Sequence, residues 1–354
     1  MQVINIICNF VCYNLAFTLM KNIKISVLDQ SQIGRDSNAQ QALKESGELV
    51  QLADKLGFER YWVSEHHNFK LVAGTTPEVL IPYLAAKSKR IRVGSGGIML
   101  PNHTSLKISE NFGMLASLFP NRIDFGIGRA PGGDRLSAQL LNPANTFSEK
   151  QFYEQLVDVQ AYLRDDELPD TVHEKVKAYP IPEILPEFWI LTSSGGSAQF
   201  AAHFGMALSF AHFINPVGGP EVVAIYRDSF KPSPELAEPK VNVGIFAYCN
   251  EDQDNVDRWV AEFDYRMLHI EMGATGNLPS AEEIKNMEYS MHQRARIAWN
   301  RGRFIAGTPA TVRKKIDALA DEYNVDEIMI ATWAEDFADR KHSYELIAEM
   351  YHTV

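Results

Sequence analysis

Apolar and polar residues alternate at the start of the patterned chain. Ile23, Ile25 and Val27 recur every second position, the period of a strand that turns one face inward. Over residues 40–56 the period lengthens, and Leu43, Leu49, Val50, Ala53 and Leu56 share one helical face, with Gly57 placed as a C-terminal cap. The exchange then repeats. Strand patterns cover 58–63, 91–99, 122–128, 188–193, 206–212, 240–248 and 326–332. Helical patterns cover 78–87, 105–118, 147–163, 197–204, 219–230, 252–264, 310–323 and 341–351. Strict alternation predicts a parallel sheet, and eight repeats predict closure into an α/β (β/α)8 TIM barrel, one domain over residues 20–354. An open doubly wound sheet is the other arrangement of such elements. Its glycine-rich dinucleotide turn is lacking: LDQSQIGRD has one glycine, and FGIGRAPGG carries Pro131 where the third glycine belongs.

Two segments break the rhythm. Residues 165–186, with several prolines and mixed charge, predict an irregular surface loop. Residues 265–305 form a polar insertion before the last βα unit, with Met267, Met272, Met287 and Met291 and no evident strand. Such long βα connections serve as lids over barrel sites or as solvated helical insertions. After it, Thr308 reads as an N-cap and Pro309 as the first helical residue, ahead of a buried stripe of Val312, Ile316, Leu319 and Ala320.

Residues 1–19 are apolar and uncharged, the first charge being Lys21. They lack the basic start and small-residue cleavage site of a secretory signal, and Asn5, Asn9 and Asn14 interrupt a run short of a membrane span of about 20 residues. Met20 opens MKNIKISVLDQ, so translation is expected to begin there, leaving 1–19 as a non-native or disordered N-terminal extension.

A net charge of −11 and a pI near 5.4, with no basic run, argue against nucleic acid and anionic membrane as partners. The three cysteines, Cys8, Cys12 and Cys249, make neither a zinc spacing nor a disulfide framework, which fits a reducing cytoplasm.

Candidate chemistry collects where predicted strands end, the active face of a barrel. Strand 2 runs into Ser64-Glu65-His66-His67-Asn68, and strand 3 into Gly94-Ser95-Gly96-Gly97 and Pro101-Asn102-His103. Strand 4 leads to Gly126-Ile127-Gly128-Arg129, strand 5 to Thr192-Ser193-Ser194-Gly195-Gly196-Ser197, and strand 6 to His212. The small residues Ser194, Gly195, Gly196 and Ser197 open a helix, so free amides, hydroxyls and the helix dipole would face an anion such as phosphate, with Arg129 as a charged partner. The same turn is also an ordinary N-cap. Gly96-Gly97 implies close backbone approach or an unusual peptide. His66 is a candidate for proton transfer or cofactor contact. Neighbouring strand residues point apart, so a metal shared by His66 and His67 is not expected. His103 and His212 are either site residues or satisfied core residues.

Taken in order, EHHN (65–68), GSGGIMLPNH (94–103), NRIDFGIGRAPGGD (121–134), TSSGGSAQFAAHFG (192–205) and AGTPATVRKKIDALA (306–320) resemble the bacterial luciferase-like flavin monooxygenases, from about Ile23 to the C-terminus. The resemblance is to single-subunit oxidoreductases of that group. It implies FMN bound in its reduced form, supplied by a separate reductase, and oxygen incorporation into a small organic substrate as one of two paired donors. It further implies His66 as the catalytic base, a non-prolyl cis peptide at Gly96-Gly97 beneath the flavin ring, and a phosphate site of Arg129, Ser194, Gly195, Gly196 and Ser197. A homodimer is a family expectation. Light emission is not expected, because Gly128 stands where the light-emitting subunit has a reactive cysteine. A deazaflavin-dependent dehydrogenase on the same barrel is the first alternative and a non-catalytic flavin-binding protein the second, with a metal-dependent hydrolase behind both.

Overall fold

The computed structural model describes residues 22–273 and 278–351, so the expectation for residues 1–19 lies outside the described residues. Its centre is a ring of parallel strands: β1 (Lys24–Asp29), β2 (Arg60–Val63), β3 (Arg92–Met99), β4 (Ile123–Gly128), β5 (Glu187–Thr192), β6 (Ala207–Ala211), β7 (Val241–Cys249) and β9 (Glu327–Ala331). Each pairs with the next, β7 pairs β9, and β9 pairs β1, which closes the eight-stranded TIM barrel.

Between the strands run α1 (Ala39–Leu56), α2 (Pro77–Lys87), α3 (Ser105–Leu118), α4 (Arg135–Leu141), α5 (Glu149–Arg164), α6 (Gly195–Phe204), α7 (Gly219–Ser229), α8 (Gln253–Glu271), α9 (Ala281–Lys285), α10 (Met291–Asn300), α11 (Pro309–Glu322) and α12 (Phe337–Tyr351). The caps follow local chemistry. Asn38 accepts from the Gln41 amide at the start of α1, and Gly57 ends that helix at φ 81°. Thr308 and Pro309 open α11 as expected, although the Thr308 hydroxyl makes no capping bond. Among the described residues no helix is long and apolar enough to cross a membrane.

Two readings need correction. The insertion does contain a strand: β8 (Phe304–Gly307) pairs only with the extended upper half of β7, from Phe246 to Cys249, and is not one of the ring strands. Only four residues long and half-buried at alternate positions, it has too little periodicity to stand out from its polar surroundings. The seventh helix also continues past 264 to Glu271, because Met267 and Leu268 keep its buried face going. The insertion is therefore mainly helical, and Glu271 ties it together by accepting from Arg296, Arg303 and Asn300 at 2.7–3.3 Å. Short α4 was unread for the same reason, since only Ala138 in it is buried.

Side chains facing the barrel axis are arranged in layers. At the N-terminal end, buried Arg60 donates to Asp124 and Glu327, both at 2.7 Å, and Arg92 donates to the other oxygen of Asp124 at 2.7 Å. Removing one partner would strand a buried charge, which costs about 3–5 kcal/mol. Above this layer Trp62 and Trp189 meet edge to face at 5.2 Å, and the Trp62 indole donates to Asp124 at 2.8 Å. The next inward positions, Gly96 on β3 and Gly126 on β4, are glycines and lie opposite each other in register. The barrel is thus plugged below and lined with bare backbone above.

Candidate active site

Crowding explains the glycines. A Cβ on Gly96 would come within 2.9 Å of Leu28 and Trp62, one on Gly97 within 2.8 Å of the Gly126 carbonyl oxygen, and one on Gly126 within 2.1 Å of the Ser95 carbonyl oxygen. The Gly96–Gly97 peptide is cis. Leu191 on β5 lies against this floor, 3.2 Å from a Cβ built on Gly97, and leads directly into the Thr192 turn. At Gly128 the neighbour is the flexible end of the Met99 side chain, 2.9 Å from a Cβ at that position.

Glu65 organises the adjoining strand ends. Its carboxylate is fully buried and accepts four hydrogen bonds: from His67 Nε2 (2.8 Å) and Asn102 Nδ2 (2.9 Å) on Oε1, and from the Met99 amide (2.8 Å) and His103 Nε2 (3.0 Å) on Oε2. Burial pushes its pKa up, but the bonds from His103, His67 and Asn102 outweigh it and bring the group down to about 2. His103 is drawn upward by the same carboxylate, against its own burial. Asn102 also donates to the Pro131 carbonyl at 2.9 Å, and the His67 amide to the Gly132 carbonyl at 2.9 Å. The ends of β2, β3 and β4 are thereby locked into one frame.

His66 stands beside this frame with its Nδ1 3.0 Å from the Ser64 hydroxyl and its ring 6.2 Å from that of Phe69. Burial pushes its pKa down to about 4, so it is neutral at pH 7. Nε2 has no partner among the described residues. His66 and His67 lie beyond the end of β2 and take different partners, Ser64 and Glu65. His212 is a satisfied core residue, with Nδ1 2.7 Å from the Tyr323 hydroxyl and Nε2 3.0 Å from the Gly302 carbonyl.

The remaining candidates meet at the start of α6. Ser194, Gly195 and Gly196 are exposed, and Ser197 is buried within the first turn. The Ser194 hydroxyl makes no capping bond, and a Cβ on Gly195 would meet only Val222, 3.9 Å away. Arg129 reaches the turn from β4: its Nη2 lies 3.4 Å from a Cβ built on Gly196, while Nη1 donates to Glu149 at 2.6 Å. An uncommitted helix N-terminus with a guanidinium over it suits a phosphate. Two further residues shape the turn: Thr192, already marked at the strand end, accepts at Oγ1 from the Ser194 amide at 3.1 Å, and Asn215, which sequence reasoning overlooked, donates to the Ser193 carbonyl at 3.1 Å.

A family description now applies. The model for luciferase-like monooxygenases matches residues 23–326. The chain belongs to the luciferase-like monooxygenase family. It is 41% identical over 332 residues to the Bacillus subtilis (strain 168) protein YwcH, covering 93% of this chain and 99% of that one. It is 32% identical to the N-acetyl-S-alkylcysteine monooxygenase of the same organism, over 92% of this chain and 98% of that one. Among solved structures, apo-MsnO8 superposes with a TM-score of 0.85 at 32% identity, covering 93% of this chain and 98% of the other. This luciferase-like chain is an enzyme by its relatives, and its barrel is theirs.

On β7 and α8 the luciferase-like barrel carries an aromatic cluster. Tyr248 stacks on Trp259 at 5.1 Å and Trp259 on Phe263 at 4.6 Å, with Phe246 and Phe304 set edgewise against them and Trp333 edgewise on Phe246. Strand β7 supplies Phe246 and Tyr248, α8 supplies Trp259 and Phe263, and β8 within the insertion supplies Phe304, so the insertion helps to build this cluster. Cys249, beside it, is a buried thiol that burial pushes up to about 12, and it is inert at neutral pH.

Proposed function

We propose that this chain is a flavin-dependent monooxygenase that takes reduced FMN from a separate reductase and, with oxygen, oxidises a small organic substrate. The observation that carries the reading is the approach of Arg129 to the open Gly195-Gly196 turn, at the same barrel mouth as the Gly96-Gly97 floor. Bound there, reduced flavin would supply the electrons for oxygen activation. Arg129, Ser194, Ser197 and the amides of Gly195 and Gly196 would hold its phosphate, and the side-chain-free backbone of Gly96 and Gly97 would admit its flat ring. His66, neutral and with Nε2 uncommitted, would accept a proton there. Phe304 and Trp333, the half-buried members of the aromatic cluster, would receive the apolar part of the substrate and help to exclude water. A homodimer has an apolar surface available, since Val79 and Tyr83 on α2 and Met114 and Leu118 on α3 are exposed.

The test is anaerobic equilibrium titration with FMN and a deazaflavin, each oxidised and reduced. Tightest binding of reduced FMN is the expected result. Preference for the deazaflavin would move the chain to hydride transfer without oxygen, and binding of neither would overturn the phosphate site.

A further inference from the structure

Beyond Arg129 the site does not stop. A groove of about 500 Å³ continues from it, lined by Arg129, Pro131, Arg135, Thr146, Phe147 and Glu149. That volume lies in the range of about 300–1,000 Å³ typical of small-molecule sites. We infer that this groove receives the adenosine phosphate of flavin adenine dinucleotide, so that the phosphate turn serves a dinucleotide flavin as well as FMN. The inference rests on the flavin reading above and deepens it.

Three features carry it. First, Arg129 lines both places, so a phosphate on the α6 turn would border the groove. Second, Phe147 is held at φ 56°, a left-handed conformation that is rare for a bulky residue and needs support from its surroundings. The support is a buried chain of bonds. Asn145 Oδ1 accepts from the Phe147 amide at 2.7 Å, and Asn145 Nδ2 donates to Gln155 at 3.2 Å. Gln155 in turn donates to the carbonyls of Leu100 (3.1 Å) and His103 (2.9 Å). The Phe147 ring joins neither hydrophobic core and faces the groove instead, where a nucleobase could stack on it. Third, Arg135 lines the groove, is exposed, and pairs with no carboxylate among the described residues, while Arg129 engages Glu149. A second phosphate would therefore meet an unpaired guanidinium.

The experiment compares the affinities of reduced FMN and reduced FAD, measured anaerobically, for the wild type, Phe147→Asn and Arg135→Gln. Asparagine tolerates the left-handed backbone, so the first variant removes the ring and keeps the turn. Wild type should bind both flavins. Each variant should weaken FAD by about tenfold, the scale of one lost base stack or charge-assisted contact. FMN affinity should stay within about twofold, which also reports an intact fold. A wild type that binds FMN but not FAD, or variants that shift both flavins equally, would overturn the inference and leave the FMN site standing. If neither flavin binds, both readings fall.

Discussion

Glu65→Gln is the most informative single change, because it keeps the shape of the side chain and alters only what the oxygens can accept. All four partners of Glu65 donate: two histidine Nε2 atoms, the Asn102 amide group and the Met99 main-chain amide. A glutamine must turn its NH2 toward one pair. If it faces His103 and Met99, the histidine can change tautomer and accept, but the Met99 amide is left buried and unpaired. If it faces His67 and Asn102, Asn102 must flip and give up the Pro131 carbonyl. Either choice orphans one buried group at about 1–3 kcal/mol, and loss of the charge weakens the bond to His103 by about a further 1 kcal/mol. The total is about 2–4 kcal/mol. Urea unfolding at pH 7 of the wild type, Glu65→Gln, His103→Ala and the double variant would measure it, with an expected Glu65–His103 coupling of about 1–3 kcal/mol. A loss under about 0.5 kcal/mol for Glu65→Gln, or additive effects in the cycle, would refute the account of Glu65 as the common acceptor that joins the ends of β2 and β3.

Other expectations follow from the same geometry. Gly96→Ala should cost about 1–3 kcal/mol by overpacking, because its methyl would sit 2.9 Å from Leu28 and Trp62; urea unfolding reads the loss, and wild-type stability would contradict the crowding. Acid should destabilise the fold in two overlapping windows. Glu65, at about 2 when folded against 4.5 when free, contributes on the order of 3 kcal/mol above pH 4.5 that is lost as the pH falls toward 2. His66, at about 4 against 6.5, resists protonation in the fold, so stability also falls on the order of 3 kcal/mol between pH 6.5 and 4. His103, shifted upward, adds stability only as the pH falls to 6.5 and leaves these lower windows untouched, and a pH series of unfolding midpoints that stays flat from 6.5 to 3 would show these assignments wrong. His66→Ala should leave FMN affinity unchanged and lower turnover by about 10²-fold or more, the usual worth of a positioned base; turnover like wild type would remove His66 from the chemistry.

Much of this was legible in the linear chain. Alternation marked the first ring strand and short apolar runs between helical stretches marked the other seven, because these strands are buried whatever the partner. The Gly-Ser turn after β5 and the paired glycines of β3 were visible as small residues at strand ends. Less visible were residues whose meaning lies in a distant partner. Nothing near Arg60, Asp124 or Glu327 in the chain shows that they share a site, and only closure turns them all inward. Glu65 stood beside two histidines that drew the attention, although only the approach of Asn102, His103 and Met99 makes it the acceptor of four bonds. Phe147 had no local signal for a left-handed backbone, since neither Gly nor Asn occupies that position.

Short-range physics therefore settled the element order, the caps, the parallel barrel and the ends of the strands as the place for chemistry. These depend on periodicity, rotamer and backbone preference, and hydrogen-bond demand within a few residues. Only the closed barrel decided which charges share the interior, that Arg129 reaches the α6 turn, and that β8 pairs with β7 rather than entering the ring. Those contacts join residues tens to hundreds of positions apart, and their energy exists only once the chain has brought them together and excluded water.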